Sequence, residues 1–170
     1  MYDRTDPRAR MASAAPAKVA ATTFAGAEFG LYYEEGPQVT DDRSKTWMTR
    51  GQNFLVAYTQ AEPGAVLERK GQIDEFVLLL PDKDTPVTIE AGPESVDVAG
   101  YSLVIIPPCD SRITLHKGGR TTRIFSTQSK DLADLCGNAA SYAEQHPNIP
   151  PCETYPVTVG GFKVLLIAIS

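Results

Sequence analysis

Residues 63–116 read PGAVLERKGQIDEFVLLLPDKDTPVTIEAGPESVDVAGYSLVIIPPCDSRITLH, and the spacing of apolar residues and turns in this stretch decides the fold. Glu75 to Leu80 is an almost unbroken apolar run closed by Pro81-Asp82. It has strand length and predicts a strand buried on both faces. Val87 and Ile89 alternate with Thr88 and Glu90, Ala91-Gly92-Pro93 turns the chain, and Val96 and Val98 resume the alternation. A second apolar run, Ser102 to Ile106, stops at Pro107-Pro108, two residues that cannot donate to a ladder. From Ser111 to His116 the period is two again, with Ile113 and Leu115 opposed to Arg112, Thr114 and His116. No histidine precedes His116.

The same punctuation extends outward. Upstream, Asp41 to Lys45 is a polar turn and Trp47 to Arg50 a short strand ended by Gly51. Asn53 to Gln60 alternates Phe54, Val56 and Tyr58 with Leu55, Ala57 and Thr59, and Glu62-Pro63-Gly64 closes it. Downstream, Lys117-Gly118-Gly119-Arg120 is a tight turn into a strand from Thr121 to Ser126. The character then changes. Lys130 to Cys136 reads as a helix with Gly137 as its C-cap. Asn138 to Gln145 reads as a second short helix N-capped by Asn138, with Pro147 beyond its end. Asn148 to Pro156 is a proline-rich linker, and Val157 to Ile169 reads as one or two strands about Gly160-Gly161. Short strands at regular spacing, with helices only near the end, predict an all-β barrel or sandwich. The expected organisation is a disordered or leader extension over 1–24, a barrel over 25–126, short helices and linker over 127–156, and a strand-bearing tail over 157–170.

A chain of 170 residues fits one domain with an independent core. Hydrophobic residues make up 42% and charged residues 22%, which is ordinary for a globular protein. The net charge of −5 disfavours non-specific attachment to nucleic acid or to an anionic membrane surface. Cys109, Cys136 and Cys152 are odd in number and widely spaced. They predict free thiols and a cytoplasmic setting rather than a disulfide framework. Arg4, Arg8 and Arg10 precede no apolar stretch of signal-peptide length. The apolar run from Val164 to Ile169 is far too short to span a bilayer.

Two segments resemble the paired signatures of the cupin superfamily, the RmlC-like double-stranded β-helix. The first signature opens on glycine, carries a His-x-His pair and then a glutamate ahead of a strand. Here Gly64 opens it, Glu75 stands within a residue of the carboxylate, and Phe76 to Leu80 is the strand. The second signature is a glycine followed by Pro-x-Gly-x-x-His and, after three further residues, an Asn, and Gly100, Pro107, Cys109, Arg112 and His116 take those places. The resemblance covers about residues 50 to 126 and implies a jelly-roll barrel, in the manner of the N-terminal half of a two-barrel cupin. The histidine positions are held by Lys70 and Gln72, or in other registers by Arg69 and Gly71 or Glu68 and Lys70, and the third by Arg112. Cationic side chains offer no lone pair to a metal and repel it. No metal and no cofactor is therefore expected.

The resemblance further implies that Glu75, Arg112 and His116 point into the barrel. With no ion there, an internal Glu75 needs a counter-charge, which Arg112 would supply, with Arg69, Lys70 or Arg123 as further candidates. On that arrangement Arg112→Ala strands a buried carboxylate and costs roughly 3–5 kcal/mol. The expected function is a barrel that binds a small polar or acidic molecule in its interior or organises a homodimer. The alternative is an enzyme of isomerase or dioxygenase type, using Glu75 with His116 or an atypical metal site.

Overall fold

A computed structural model describes residues 28–147, 149–153 and 164–168. The expected leader over 1–24, most of the linker's far end and the Gly160-Gly161 turn lie outside the described residues. Eleven strands appear among the described residues: β1 (Val39–Asp41), β2 (Ser44–Arg50), β3 (Phe54–Ala61), β4 (Ala65–Arg69), β5 (Phe76–Leu80), β6 (Val87–Ala91), β7 (Glu94–Val98), β8 (Ser102–Ile106), β9 (Ser111–Leu115), β10 (Gly119–Ser126) and β11 (Leu165–Ala168). They form two antiparallel sheets, one ordered β1-β2-β3-β10-β5-β8-β11 and the other β4-β9-β6-β7. This is the all-β architecture that the spacing predicts, and the jelly roll with a trailing strand that the resemblance implies.

The interior is built by alternation. Leu55 and Ala57 on β3, Phe76, Leu78 and Leu80 on β5, Val104 and Ile106 on β8, and Ile113 and Leu115 on β9 are all buried. The intervening residues Val77, Leu79, Leu103 and Ile105 are half-buried on the opposite face. The central strands are therefore apolar on both sides because both faces are at least partly covered, as their unbroken runs imply. On β3 the core takes Leu55, Ala57 and Thr59, leaving Tyr58 to the outside. There Tyr58 stacks on Tyr32 at 5.2 Å between ring centroids, beside Trp47, whose Nε1 donates to the Glu35 carbonyl at 2.8 Å. A segment before β1 thus covers the outer face of β2 and β3.

The second strand is longer than its apolar core suggests, because Ser44, Lys45 and Thr46 pair with β1 in a hairpin. Its remaining edge is occupied, which guards it against pairing with another chain. Met48 N–H donates to Gln38 Oε1 at 2.7 Å, and Gly137 N–H donates to the Met48 carbonyl at 3.1 Å. Asn138 continues the same edge. Its Oδ1 accepts from Arg50 N–H at 2.9 Å and its Nδ2 donates to the Arg50 carbonyl at 2.9 Å. The helical expectations are corrected accordingly. The helix α1 spans only Lys130–Ala133, and Asn138 makes no side-chain cap. Its amide is spent on β2, and the chain continues into a single 3₁₀ turn, Ala139–Tyr142.

The C-terminal strand β11 pairs antiparallel with β8 of the same barrel, Leu165 opposite Ile105 and Ala168 opposite Ser102. The turn at Lys117 to Arg120 joins β9 to β10 and brings the chain hard against the end of β3. Gly118 has φ +70°, and a Cβ there would sit 2.5 Å from the Ala61 carbonyl oxygen. Both the left-handed backbone and the close approach require glycine. Gly118→Ala is expected to lower the unfolding free energy by about 1–3 kcal/mol, measured by urea denaturation; an unchanged midpoint would show that the turn tolerates a side chain.

Candidate functional site

Alternation on β10 sends Thr121, Arg123 and Phe125 inward. On β4 the inward set is Ala65, Leu67 and then Arg69, which faces Ser111 across the β4–β9 pair. One sheet thus contributes Arg123 and the other Arg69 to the same end of the barrel. Both guanidiniums lie over the ring of Phe125, at 5.8 Å for Arg123 and 5.9 Å for Arg69. Such placement favours cations modestly. Between them is a cavity of about 140 Å³, bounded among others by Asp41, Thr46, Leu67, Phe125 and Leu132.

The two arginines are in different electrostatic situations. Arg69 is neutralised: its two terminal nitrogens bind Asp131 at 2.5 and 2.9 Å, and its Nε donates to Gln72 Oε1 at 2.7 Å. The hydrogen bonds from Arg69 hold the Asp131 carboxyl below its ordinary pKa. Behind this pair is a buried polar network. Gln72 Nε2 donates to Asp74 Oδ1 at 2.8 Å, Ser129 Oγ donates to Gln72 Oε1 at 3.2 Å, and Ser126 Oγ donates to Asp74 Oδ2. The network ties β5 and β10 to the start of α1, whose Leu132 closes one side of the cavity.

Arg123 is 8% exposed, and its Nε has no hydrogen-bond partner. Among the described residues no carboxylate forms an ion pair with it. Burial pushes its pKa down to about 10, Arg69 pushes the same way, and Asp41 opposes them. It therefore remains a cation at neutral pH, held inside the barrel without a direct counter-charge. The hydroxyls of Thr121 and Ser111, each adjacent to one of the arginines along a strand or across a pair, are also buried without partners.

The structure brings Arg69 and Arg123 together and separates the other residues named from the sequence. Arg112 and His116 do share one face of β9, but it is the outer one, because Ser111, Ile113 and Leu115 take the core. Their placement inside the barrel is corrected on that parity. Arg112 lies 3.9 Å from Glu90 with both side chains more than half exposed, so the pair contributes about 0–1 kcal/mol. His116 Nε2 lies 2.7 Å from Thr88 Oγ1, which in turn donates to Asp97 Oδ1 at 2.6 Å, in an open groove beside β6 and β7. Glu75 is half-buried with the parity opposite to Phe76. The internal carboxylate is instead Asp74, one residue earlier. Extending the period of Phe76, Leu78 and Leu80 back by two positions would have found it. Asp131 and Gln72 carry no comparable signal, since a loop and a helix bring them to the mouth.

Cupin-type barrels commonly hold a metal, and the residues here do not fit one. The groups at this mouth are two guanidiniums, hydroxyls and an amide, with Asp74 and Asp131 already engaged and Asp41 and Glu68 as the remaining lining carboxylates, too few beside two cations to hold a metal ion. Among the described residues no group of three or more His, Cys, Asp or Glu is placed to hold an ion. A pair of substitutions separates the two arginine environments. Arg112→Ala should leave the unfolding free energy within about 1 kcal/mol of wild type, contrary to the cost that an internal pair implies. Arg123→Met should raise it, by about 1–4 kcal/mol, because an apolar side chain of similar length replaces an uncompensated buried charge. Chemical denaturation checks both, and a destabilised Arg123→Met would show that Arg123 has a partner supporting the fold.

No protein-family model matches the sequence, and no curated protein matches it. Solved structures do match. KdgF from Halomonas sp. superposes with a TM-score of 0.52 at 11% identity, covering 62% of this chain and 98% of that one. An RmlC-like cupin from Shewanella frigidimarina NCIMB 400 gives a TM-score of 0.52 at 13% identity, covering 62% of this chain and 96% of that one. At such identities the likeness concerns the fold. Among the described residues no helix is long and apolar enough to cross a membrane.

Proposed function

From a chain that has the cupin fold, we propose a barrel that binds a small polar or acidic molecule at its mouth without a metal. The observation that carries this reading is the cavity between Arg69 and Arg123, part polar and part apolar, at one end of a barrel otherwise filled with packed side chains. Such a combination of apolar wall and few convergent polar groups is the usual make-up of a ligand site. The groups present are donors suited to holding a ligand. Arg123, with its pKa near 10, keeps its proton at neutral pH, and Ser and Thr hydroxyls do not ionise there, so neither is matched to general acid–base work. The three cysteines are free, which suits a reducing compartment. A cytoplasmic setting belongs to the same proposal.

A thermal-shift screen of the full chain against sugars, carboxylic acids and aromatic acids tests the reading. At least one class is expected to raise the unfolding midpoint in a saturable manner, since a ligand that binds only the folded state stabilises it by mass action. If no compound raises the midpoint, the binding reading fails.

A second reading, compatible with the first, is that the barrel organises a homodimer. It is favoured by β11, which among the described residues forms the edge of the larger sheet with Leu165, Leu166 and Ile167 each about half exposed. An apolar open edge invites pairing, and a symmetric copy of itself is the economical partner. Light scattering after size exclusion is expected to give twice the chain mass of 18.4 kDa, and Leu166→Lys is expected to give the monomer. A monomeric wild type overturns this reading.

A further inference from the structure

We infer that the ligand of this cavity is a compact monocarboxylate with an apolar body, bound through Arg123. The inference rests on the binding reading above and specifies its chemistry. Three features of the site lead to it.

The first is charge. Arg123 is more than nine-tenths buried, lines the cavity, and keeps an unpartnered Nε. A buried charge without a counter-ion is unfavourable, and an anion entering the cavity supplies what the chain does not. The second is the number of charges. The cations at the mouth are Arg69 and Arg123, and the carboxylates bordering or binding them are Asp41, Glu68 and Asp131. Asp131 already neutralises Arg69. Two cations and three carboxylates sum to −1 at the mouth, but neither Asp41 nor Glu68 forms an ion pair with Arg123, so Arg123 is the one cation left to meet a ligand, and the two carboxylates beside it disfavour a dianion such as phosphate. A carboxylate also matches the planar fork of a guanidinium, which donates two parallel hydrogen bonds to it.

The third feature is size and wall. The cavity is about 140 Å³, close to an engineered 150 Å³ cavity that takes benzene, so about six non-hydrogen atoms fit. Beyond the arginines its wall is largely apolar, with Val39, Met48, Leu67, Phe125, Leu132 and Leu135. Those surfaces suit a branched or cyclic hydrocarbon and offer little to a polyhydroxylated sugar. Arg69 retains one unused N–H on each terminal nitrogen, enough to meet the far oxygen of the carboxylate without releasing Asp131.

Isothermal titration of the full chain with isobutyrate, isobutyramide and inorganic phosphate tests this directly. The first two have the same shape and size and differ in charge. Isobutyrate is expected to bind at one site per chain, with isobutyramide and phosphate each at least about tenfold weaker. Arg123→Met, which keeps the fold, is expected to lose isobutyrate binding by at least about tenfold, and Arg123→Lys to retain part of it. Equal affinity for the acid and the amide, or unchanged isobutyrate binding by Arg123→Met, would overturn the inference while leaving a small-molecule barrel standing. Absence of isobutyrate binding by wild type would also overturn it. The binding reading itself falls only if the broader screen finds no ligand at all.

Discussion

A guanidinium confined between two sheets, with no ion-pair partner among the described residues, is the constraint around which the mouth of this barrel is organised. Arg123 cannot turn outward, because β10 pairs with β3 on one side and β5 on the other. The parity that buries Phe125 also buries Arg123. Its neighbours across the sheet are Ala57 and Leu78, which offer no polar side-chain atom. The chain tolerates the charge by stacking it on an aromatic ring, by placing Asp41 within electrostatic reach, and by leaving a cavity beside it. The second arginine, by contrast, is matched to Asp131 so fully that it serves as a structural clamp between β4 and α1.

That clamp links the site to the fold. Asp74, Gln72, Ser126 and Ser129 form one hydrogen-bonded chain from the start of β5 to the first residues of the helical segment. The segment after β10 is held at its other end by Gly137 and Asn138 along the edge of β2. Residues 127–138 therefore strap across the mouth from β10 to β2, both in the larger sheet, with the Asp131–Arg69 pair tying the strap to β4 of the smaller one, and Leu132 and Leu135 become part of the cavity wall. The strap is short in helix because its polar groups are committed to strands. Buried networks of this kind favour a single arrangement when each member is satisfied, and among the described residues the buried groups left unsatisfied are Arg123 Nε and the hydroxyls of Thr121 and Ser111.

Much of the barrel was legible because strand boundaries are written in prolines and glycines. Pro81, Pro93, Pro107 and Gly118 each fall at or near a strand end, and the apolar runs of β5 and β8 announce central strands. β4 was harder to see, since Ala65 to Arg69 offers three apolar residues before two charges, and β1 has only three residues. Parity was the weak point at the site. Alternation alone puts Arg112 with His116 but does not say which face is inside, and Ile113 and Leu115 settle it by burial. The same rule applied to β10 would have favoured Arg123, which sits two residues before Phe125. What sequence could not supply is the partner of each charge. Asp131 is far from Arg69 along the chain, and no local pattern marks the lack, among the described residues, of an ion pair to Arg123.

The central claim is that the barrel mouth presents an unanswered cation in place of metal ligands. A crystal structure of the full chain, with anomalous data collected across the transition-metal edges, tests it most directly. The account predicts no anomalous peak between the sheets and a guanidinium of Arg123 facing either a bound anion or solvent in the cavity. A divalent ion coordinated at that mouth, or a carboxylate of the chain itself folded onto Arg123, would contradict it.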